Sequence, residues 1–413
     1  MTTLTDLVSR SADQQLVCVA RDGTDVLGYV AIDSTVGGRS RGGLRMVPDV
    51  DEAEVRGLAR AMTLKYGFLG LPQGGAKAGV RGDPEVPREE RQAKLAAFAR
   101  LVAPLLRSRV FTPDTDMGTT RADIAHVLAV AGAPVPPRSE SAQRSGFYTA
   151  LTVRAAARVA AQRVGLELDG ARVAIEGFGS VGASLAMLLH DAGARVVAVS
   201  TTAGAVYAPD GLDVARLVAL AAERGSRVVD AYVEEQRGRG VQRLEREALL
   251  TLPVDVLCPC ARHGSVHAGN VAAVQARVVA SGANNPLTLE AERALDERGV
   301  ACVPDFVANS GGVLGGTMEF AAVREHAIAA FVDDHFAARV AWLLAEAART
   351  GEPTRTVAER VALARRLAPT RQPMWRRPLR HVLDSGLALY RRGLVPGAVV
   401  GRLSLPYFRR SMA

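Results

Sequence analysis

Lysine is scarce in this chain of 413 residues. Lys and Arg together number 51, but only Lys65, Lys77 and Lys94 are lysines. Arginine stays protonated and cannot exchange a proton with a substrate, whereas burial can lower the pKa of a lysine towards neutrality. Lys94 lies in the helical run REERQAKLAAFARLV, where a lysine can occur by chance in an Arg-rich chain without a special role. Lys65 and Lys77 share the short stretch MTLKYGFLGLPQGGAKAGV, and we expect them where guanidinium would not serve.

Cysteine and metal-ligand patterns are also scarce. Four cysteines give no disulfide framework in a chain of this length, and the pair in LCPC is one residue closer than in the usual zinc knuckle. The seven histidines are scattered without the spacing of metal ligands. We therefore predict reduced core thiols and no metal site.

Long apolar runs are missing. None reaches the ~20 residues that a membrane span needs. Met1 is followed by TTLTDLVSR rather than by the basic start and apolar core of a secretory signal. The composition, 48 % hydrophobic and 23 % charged, is typical of a globular protein with two or three domains. We expect a cytoplasmic protein with no membrane partner.

The net charge of +8 is concentrated near the C-terminal end. From Pro353 onward, 13 arginines face only two acids, Glu359 and Asp384, so this segment carries +11 and the rest of the chain −3. Aromatic residues that could stack on bases are few there, namely Trp375, Tyr390, Tyr407 and Phe408. We expect no nucleic-acid partner. Helix faces docked on the first domain or on a neighbouring subunit explain the charge, with an acidic partner or a membrane surface as alternatives.

The order of apolar segments predicts an α/β fold. Strand-like pieces such as LVCVARD and VLGYVAID alternate with amphipathic helices up to about residue 135, where a Pro/Gly/Ser-rich stretch marks a domain edge. Uninterrupted apolar strands separated by helices then indicate a doubly wound parallel sheet of Rossmann type. We predict an N-terminal α/β domain at 1–138, a Rossmann-type domain at 146–322, and a helical, Arg-rich segment at 323–413 that packs back on the first domain.

The motif GFGSVG lies between an apolar strand and an amphipathic helix, the context in which it binds a dinucleotide. Gly177 permits the tight turn, Gly179 lets the backbone reach the pyrophosphate, and Gly182 allows close helix packing. Ser180 and Val181 begin the helix, whose N-terminal amides attract the anion. The alternative is a purely structural glycine turn.

The second strand of this unit ends at Ser200, Thr201 and Thr202, where an NAD site usually offers Asp or Glu to the ribose. Without that carboxylate a 2′-phosphate is not repelled, and these hydroxyls could donate to it. No arginine follows directly. The sequence therefore favours NADP over NAD and leaves both open.

Several motifs occur in an order that resembles the glutamate/leucine/phenylalanine/valine dehydrogenase family. They run from about Gly28 to about Phe320 and comprise RGGLRMVPDV, MTLK, LPQGGAKAGV, DMGTT, GFGSVG and ANSGGVLGGTMEF. The resemblance implies oxidative deamination of an L-amino acid to a 2-oxo acid and ammonia with NAD or NADP, or the reverse reductive amination. It also implies a homo-oligomer assembled through the first domain.

The resemblance assigns roles to three charged residues. Lys65 would pair with the substrate α-carboxylate, Lys77 would be the catalytic lysine, and Asp116 its partner carboxylate. A lysine of lowered pKa can deprotonate the water that adds to an iminium carbon, and an aspartate can return a proton to the leaving amine. For Asp116 the alternative is a cap on the helix that follows GTT.

Small and amide residues complete the implied site. The pair Gly42 and Gly43 would bring backbone amides to the substrate, although a simple turn is the alternative. Asn284 and Asn309 match the contacts of the family around nicotinamide and substrate, with an ordinary turn as the alternative for Asn284.

Three positions bear on the substrate and give mixed signals. Arg41 occupies the place where glutamate-specific members carry a lysine for the side-chain carboxylate. Gly316, however, replaces their serine, and Asp114 replaces a small apolar residue. Because a buried unpaired charge is very costly, Asp114 would repel glutamate unless Arg41 neutralises it. Glutamate, a polar or unusual amino acid and a branched aliphatic one remain open in that order.

Two other classes of function also remain open at this point. The chain could be a non-catalytic dinucleotide-binding homologue, which the joint presence of Lys65, Lys77 and Asp116 argues against. It could also bind a polyanion through its Arg-rich end.

Overall fold

The computed structural model describes residues 16–23, 25–135, 144–371, 389–390 and 394–412. They form two compact units. The first unit lies within 1–142 and 359–378, and the second within 143–358 and 379–413. Both are α/β, as the sequence predicts. Most of the Arg-rich stretch MWRRPLRHVLDSGLALYRRG, including Trp375, lies outside the described residues.

The first unit is built on a five-stranded sheet in the order β1-β2-β4-β3-β5. Its strands are β1 (Leu16–Asp22), β2 (Asp25–Ile32), β3 (Ser40–Val47), β4 (Gly74–Arg81) and β5 (Phe111–Thr115). The strand β2 runs antiparallel to β1 and β4. The strand β3 lies parallel to both β4 and β5, so the carboxyl ends of these three strands share one edge of the sheet.

Helices cover both faces of this sheet, so side chains on both faces of its strands are buried. The helices are α1 (Glu52–Phe68), α2 (Arg88–Arg107) and α3 (Arg121–Val130). In β2, Val30 and Ile32 join a core with Phe98 of α2. Tyr29 and Ala31 point to the opposite face and pack with residues of α1. The α1 face of β4 carries glycines and a lysine in place of aliphatic side chains, which marks it as the functional face.

The second unit contains a seven-stranded sheet in the order β12-β11-β10-β6-β7-β8-β9. Its strands are β6 (Arg172–Glu176), β7 (Arg195–Thr201), β8 (Gly204–Tyr207), β9 (Gln242–Leu244), β10 (Val256–Pro259), β11 (Val278–Ala280) and β12 (Ala301–Val303). Strands β12, β11, β10, β6 and β7 are parallel, as predicted. The antiparallel extension by β8 and β9 was not predicted, because both strands are too short to show a pattern.

The helices of the second unit surround this sheet. They are α4 (Ser145–Arg163), α5 (Ser180–Asp191), α6 (Val214–Arg224), α7 (Val228–Glu235), α8 (Leu289–Glu297), α9 (Asp305–Ala308), α10 (Gly311–Phe320), α11 (Glu325–Phe331) and α12 (Ala337–Thr350). One π-helical turn, Val332–Phe336, joins α11 to α12. The alanine-rich helix α4 is buried along most of its length, since small side chains let neighbouring helices approach closely.

The C-terminal segment predicted to pack on the first domain is divided between the two units. It contains α13 (Thr354–Arg371) and α14 (Gly397–Met412). The residues of α13 from Glu359 belong to the first unit, whereas α14 belongs to the second. There Phe408 packs edge-on against Phe331. The predicted boundaries at 138, 146 and 322 remain predictions.

Three further findings concern only the described residues. None of their helices is long and apolar enough to cross a membrane. Their His, Cys, Asp and Glu side chains form no group of three suited to a metal ion. The four cysteines are free thiols.

Candidate active site and dinucleotide site

The first unit holds a compact cluster of buried charges. Lys77 of β4 lies with its Nζ 2.8 Å from Oδ2 of Asp116, the residue that follows β5. The same oxygen accepts a hydrogen bond of 2.8 Å from Nε of Arg45 in β3. Arg45 also pairs with Glu54 of α1. The side chains of Lys77 and Arg45 are only 4 % and 7 % exposed, so two cations and two carboxylates compensate one another almost entirely out of water.

The strand register explains how these residues meet. Leu44 of β3 is aligned with Ala78 of β4 and with Thr115 of β5. Gly43 therefore lies between β4, which carries Lys77, and the end of β5, which Asp116 follows. A Cβ at residue 43 would lie 2.8 Å from Cβ of Asp116 and 3.1 Å from Nζ of Lys77. Gly42 and Gly43 form no turn; within β3 they leave room for neighbouring strands and side chains.

The environment shifts the pKa of both central groups. Burial lowers the pKa of Lys77, and the nearby charge of Arg45 lowers it further, against the opposing effect of Asp116. Burial by itself raises the pKa of Asp116, but the charges and hydrogen bonds of Lys77 and Arg45 outweigh it and hold that pKa well below its ordinary value. Asp116 is thus an ionised acceptor beside an amine that releases its proton more readily than usual.

Asp116 does not cap a helix, so that alternative is wrong. Helix α3 begins after Thr120, which forms a capping box with Asp123. The backbone amide of Asp116 instead donates to Oγ1 of Thr119, whose hydroxyl in turn donates to the carbonyl of Leu44. These bonds anchor the turn after β5 to β3 and fix the direction of the Asp116 carboxylate.

Lys65 lies in the last turn of α1 and is buried. Helix α1 packs closely on β4. A Cβ at Gly75 would overlap the backbone of Thr63, so this contact requires glycine at residue 75. The amide of Gly75 donates to Oγ of Ser34, whose Oγ is also 2.7 Å from Oγ1 of Thr63. Burial raises the pKa of the adjacent Tyr66 to about 12, so this phenol stays neutral. Lys65 and Lys77 thus lie on elements packed against each other.

Arg41 and Asp114 form an ion pair, with Nη2 and Oδ2 2.7 Å apart. Their side chains are 46 % and 43 % exposed, so water screens the pair and leaves both groups accessible. In the second unit, no described atom beyond the adjoining residues and backbone of α10 lies within 4 Å of the position that a Cβ at Gly316 would take. The structure therefore leaves open space where a larger residue would fit.

The predicted dinucleotide motif forms the turn from β6 into α5. Gly177 has φ of 89°, and a Cβ there would lie 2.8 Å from the backbone of Ala261. A Cβ at Gly182 would overlap the carbonyl oxygen of Gly177. Gly179, the N-cap of α5, has only open space where its Cβ would be. The first amides of α5, at Ser180 and Val181, therefore stand over an open cradle that suits a pyrophosphate.

The end of β7 is tied to this turn. Oγ of Ser200 accepts a hydrogen bond of 3.1 Å from the amide of Gly177. The hydroxyl of Thr201 donates to the carbonyl of Ser226 and accepts from the amide of Ala203, at 2.6 and 3.2 Å. The Thr201 hydroxyl is thus engaged within the protein.

Asn284 and Asn309 are brought together in the second unit. Nδ2 of Asn309 donates to the carbonyl of Ala283 at 2.6 Å and to Oδ1 of Asn284 at 3.2 Å. Among the described residues, the buried Oδ1 of Asn309 has no hydrogen-bond partner. A buried acceptor of this kind can receive the N–H groups of a carboxamide such as that of nicotinamide.

Matches to family models cover nearly all of the described chain. The glutamate/leucine/phenylalanine/valine dehydrogenase model matches residues 142–365, and the model of the dimerisation domain of the same enzymes matches 14–131. The chain belongs to the glutamate/leucine/phenylalanine/valine dehydrogenase family. It is an NAD(P)-dependent amino acid dehydrogenase that acts on a CH–NH2 group.

Relatives of this dehydrogenase include glutamate dehydrogenases. The Thermotoga maritima glutamate dehydrogenase is 35 % identical over 69 % of this chain and 70 % of its own length. The NADP(+)-dependent glutamate dehydrogenase of Pyrobaculum calidifontis is 37 % identical over 71 % and 72 %. Among solved structures, the Leu-bound hetero-hexameric glutamate dehydrogenase of Thermus thermophilus has a TM-score of 0.71 at 29 % identity, with 86 % of this chain and 88 % of that chain covered.

Sequence reasoning missed Arg45 and Glu54 of this dehydrogenase. A signal for Arg45 was present, because Arg41, Gly43 and Arg45 alternate along β3 and so share one face of the sheet. For Glu54 no local pattern distinguishes the carboxylate from an acidic residue in the first turn of a helix.

The sequence also did not predict a second charged cluster of this dehydrogenase, which contacts the loop that contains Asn284. The carboxylate of Asp305 accepts from the amide of Asn285, which lies in the same loop as Asn284 and has a positive φ of 49°. Arg355 of α13 bridges Asp305 and Glu292, at 2.7 and 2.6 Å. The partners of Arg355 lie 50 and 63 residues earlier in the chain, so no local pattern in the sequence reveals the cluster.

Proposed function

We propose that this dehydrogenase deaminates L-glutamate, or an acidic or polar amino acid close to it, to the 2-oxo acid. The observation that carries the proposal is the buried amine of Lys77, 2.8 Å from the ionised carboxylate of Asp116. A base and an acid held in contact out of water suit the proton transfers that deamination requires. The names of curated relatives, among them the glutamate dehydrogenases of Thermotoga maritima and Pyrobaculum calidifontis, support the substrate.

In the proposed mechanism Lys65 pairs with the α-carboxylate of the substrate and Arg41 with its side chain. When bound, the nicotinamide coenzyme accepts the hydride from Cα. Once Lys77 is neutral, Asp116 loses one of the two cationic neighbours that lower its pKa. It then takes a proton from the substrate ammonium group, so that an iminium carbon forms as the hydride leaves. The glycine turn at Gly177 and the asparagine pair are the residues that would hold the coenzyme.

Hydrolysis of the iminium group then uses both central residues. Water adds to the carbon while the neutral amine of Lys77 removes one of its protons, which forms a carbinolamine. Asp116 returns its proton to the nitrogen, and ammonia leaves. The remaining hydroxyl group gives its proton to Asp116, which is ionised again, and becomes the carbonyl of the 2-oxo acid. The lowered pKa of Lys77 matters here because only its neutral form can accept a proton.

The substrate assignment is tested by turnover of a panel of L-amino acids with NAD and with NADP. We expect the largest kcat/KM for glutamate and a large loss of it in R41A. Exchange of Asp114 for alanine removes the competing carboxylate, so D114A should lower the KM for glutamate. A preference for leucine or valine in the wild-type protein would contradict the assignment and favour the branched-chain alternative, for which the open space at Gly316 speaks.

We also propose a homo-oligomer assembled through the first unit. The matched model of residues 14–131 describes a dimerisation domain, and the Thermus relative is a hetero-hexamer. Light scattering coupled to size exclusion measures the mass directly. A monomer of 43.6 kDa at micromolar concentration would overturn this part of the proposal.

A further inference from the structure

The coenzyme choice that the sequence left open depends on the turn between β7 and β8. In Rossmann-type domains the adenosine ribose lies beside the end of the second strand, here β7. The hydrogen bond between Gly177 and Ser200 confirms that this end lies beside the glycine turn. From Val199 to Gly204 the chain reads VSTTAG, without a carboxylate that could bind the ribose hydroxyls.

A cation from a distant part of the sequence reaches this turn. Arg243 of β9 donates from Nη2 to the carbonyl of Ala203 at 2.6 Å. A Cβ at Gly204 would lie only 3.1 Å from the same Nη2. Strand β9 is antiparallel to β8, and Arg243 is aligned with Val206, so the guanidinium extends along the hairpin towards its turn. The arginine that the sequence lacks directly after β7 is therefore supplied by the unpredicted strand β9.

The guanidinium of Arg243 is oriented and still accessible. Its Nε donates to Oδ1 of Asp230 in α7 at 2.8 Å, which fixes the plane of the group. An arginine has five N–H donors, and the bonds to Asp230 and Ala203 use two of them. The side chains of Arg243 and Asp230 are 43 % and 53 % exposed. Several donors thus remain for an anion at the surface of the turn.

We propose that Arg243 forms a subsite for the 2′-phosphate of NADP, which makes NADP the preferred coenzyme. The fork of a guanidinium binds a phosphate through two parallel hydrogen bonds, and a dianionic phosphate outweighs the single charge of Asp230. Thr202, exposed in the turn, is the second donor of the subsite. Thr201 is not, because its hydroxyl donates to Ser226. The inference rests on the proposed function only in that the chain uses a nicotinamide dinucleotide.

The test compares two coenzyme fragments that differ in the 2′-phosphate alone. Calorimetric titration of the full-length protein with 2′,5′-ADP and with ADP measures binding without catalysis. We expect the wild-type protein to prefer 2′,5′-ADP. In R243A the affinity for 2′,5′-ADP should fall about 10- to 100-fold, the range of a lost hydrogen bond to a charged group, while that for ADP stays within twofold. R243K keeps the positive charge but lacks the guanidinium fork, so its affinity for 2′,5′-ADP should lie between those of the wild type and R243A.

The control is R216A, which removes an exposed ion pair with Glu235 in the same unit and leaves the turn intact. It should bind both fragments as the wild type does. Equal wild-type affinity for the two fragments would overturn the proposal, as would an equal loss of both in R243A. If R243A does not fold, R243K supplies the comparison. Tight binding of 2′,5′-ADP without amino acid turnover would contradict the proposed function and leave the subsite intact.

Discussion

The candidate sites of the two units are built from different groups and suit different chemistry. The candidate active site of the first unit consists of charged side chains that are almost fully buried and contact one another, with Lys77, Asp116, Arg45 and Glu54 at its centre. The candidate dinucleotide site of the second unit consists of glycine backbone and a helix N-terminus. The difference shows that proton transfer requires charges of tuned pKa, whereas pyrophosphate binding requires free amides and space.

The largest expected effect is the loss of turnover in K77R, which should change the candidate active site of the first unit and not coenzyme binding in the second. K77R keeps a positive charge in the first unit but removes the proton that can be exchanged, so turnover should fall about 10²- to 10⁴-fold, the range of a lost general base. Coenzyme affinity, measured by fluorescence titration with NADPH and NADH, should stay within a few-fold. K94R is the matched control, because Lys94 lies on α2 away from the cluster, and it should be fully active. An active K77R enzyme would contradict the role of the amine.

Two glycines of the second unit separate coenzyme binding from folding stability. G179A places a methyl group in open space, so the free energy of unfolding should change by less than about 0.5 kcal/mol. Its coenzyme affinity should nevertheless fall about tenfold or more, because the backbone can no longer approach the pyrophosphate. G182A should instead destabilise the protein by roughly 1–3 kcal/mol, since its methyl group overlaps the carbonyl of Gly177.

Thermal denaturation without coenzyme and titration with it measure these two effects separately. Equal coenzyme affinity in G179A and the wild type would show that the open cradle at residue 179 is not the pyrophosphate site.

A smaller effect tests the tuning of charges in the first unit. The charge of Arg45 helps to lower the pKa of Lys77. In R45M that pKa should rise, because Asp116 and Glu54 then act on the amine without compensation. Oxidative deamination needs the neutral amine, so kcat/KM rises with pH through the pKa of Lys77. The rising limb of the pH profile should therefore move to higher pH in R45M.

R45K should restore much of the wild-type profile, because it keeps the charge. R56A, which removes an exposed pair with Glu52 on α1, is the surface control and should leave the profile unchanged. An unchanged profile in R45M, in a protein that thermal denaturation shows to be folded, would exclude Arg45 from the tuning of Lys77.

The smallest expected effect concerns Arg355, which holds the Asp305 carboxylate beside the loop of Asn284 and Asn285 in the second unit. R355K keeps the charge next to Asp305 and Glu292 but cannot bridge both carboxylates with one planar fork. We expect the KM for coenzyme to rise a few-fold and the KM for the amino acid to stay the same. R349A, which breaks an exposed pair with Glu346 on α12, serves as control. A lower melting temperature with both KM values unchanged would assign Arg355 a purely structural role.

The sequence predicted those parts of the molecule that local patterns determine. Apolar runs buried on both faces located the parallel strands, and the order strand, GFGSVG, helix located the turn at Gly177. The scarcity of lysine directed attention to Lys77, and the resemblance of the motif DMGTT to the family added Asp116. These residues needed no knowledge of distant contacts, because each lies within a motif of its own.

What the sequence did not predict depends on long-range pairing. Arg45 contacts Asp116, 71 positions later, only because β3 pairs with β5. Arg243 reaches Ala203 only through the short strand β9. Arg355 contacts residues that precede it by 50 or more positions. For Asp116 the sequence left a helix cap open as the alternative, which only the structure excludes, because Thr120 is the cap. Tertiary contacts of this kind leave no periodic signal in the sequence.

The central claim is that the environment of Lys77 lowers the pKa of its amine. Since the chain has only three lysines, protein labelled with ¹³C at lysine Cε gives three NMR signals, which K65R and K94R assign. A pH titration then measures each pKa directly. We predict that Lys77 titrates well below the ordinary lysine value of about 10.4. A Lys77 signal that titrates at or above the ordinary lysine value would contradict the account.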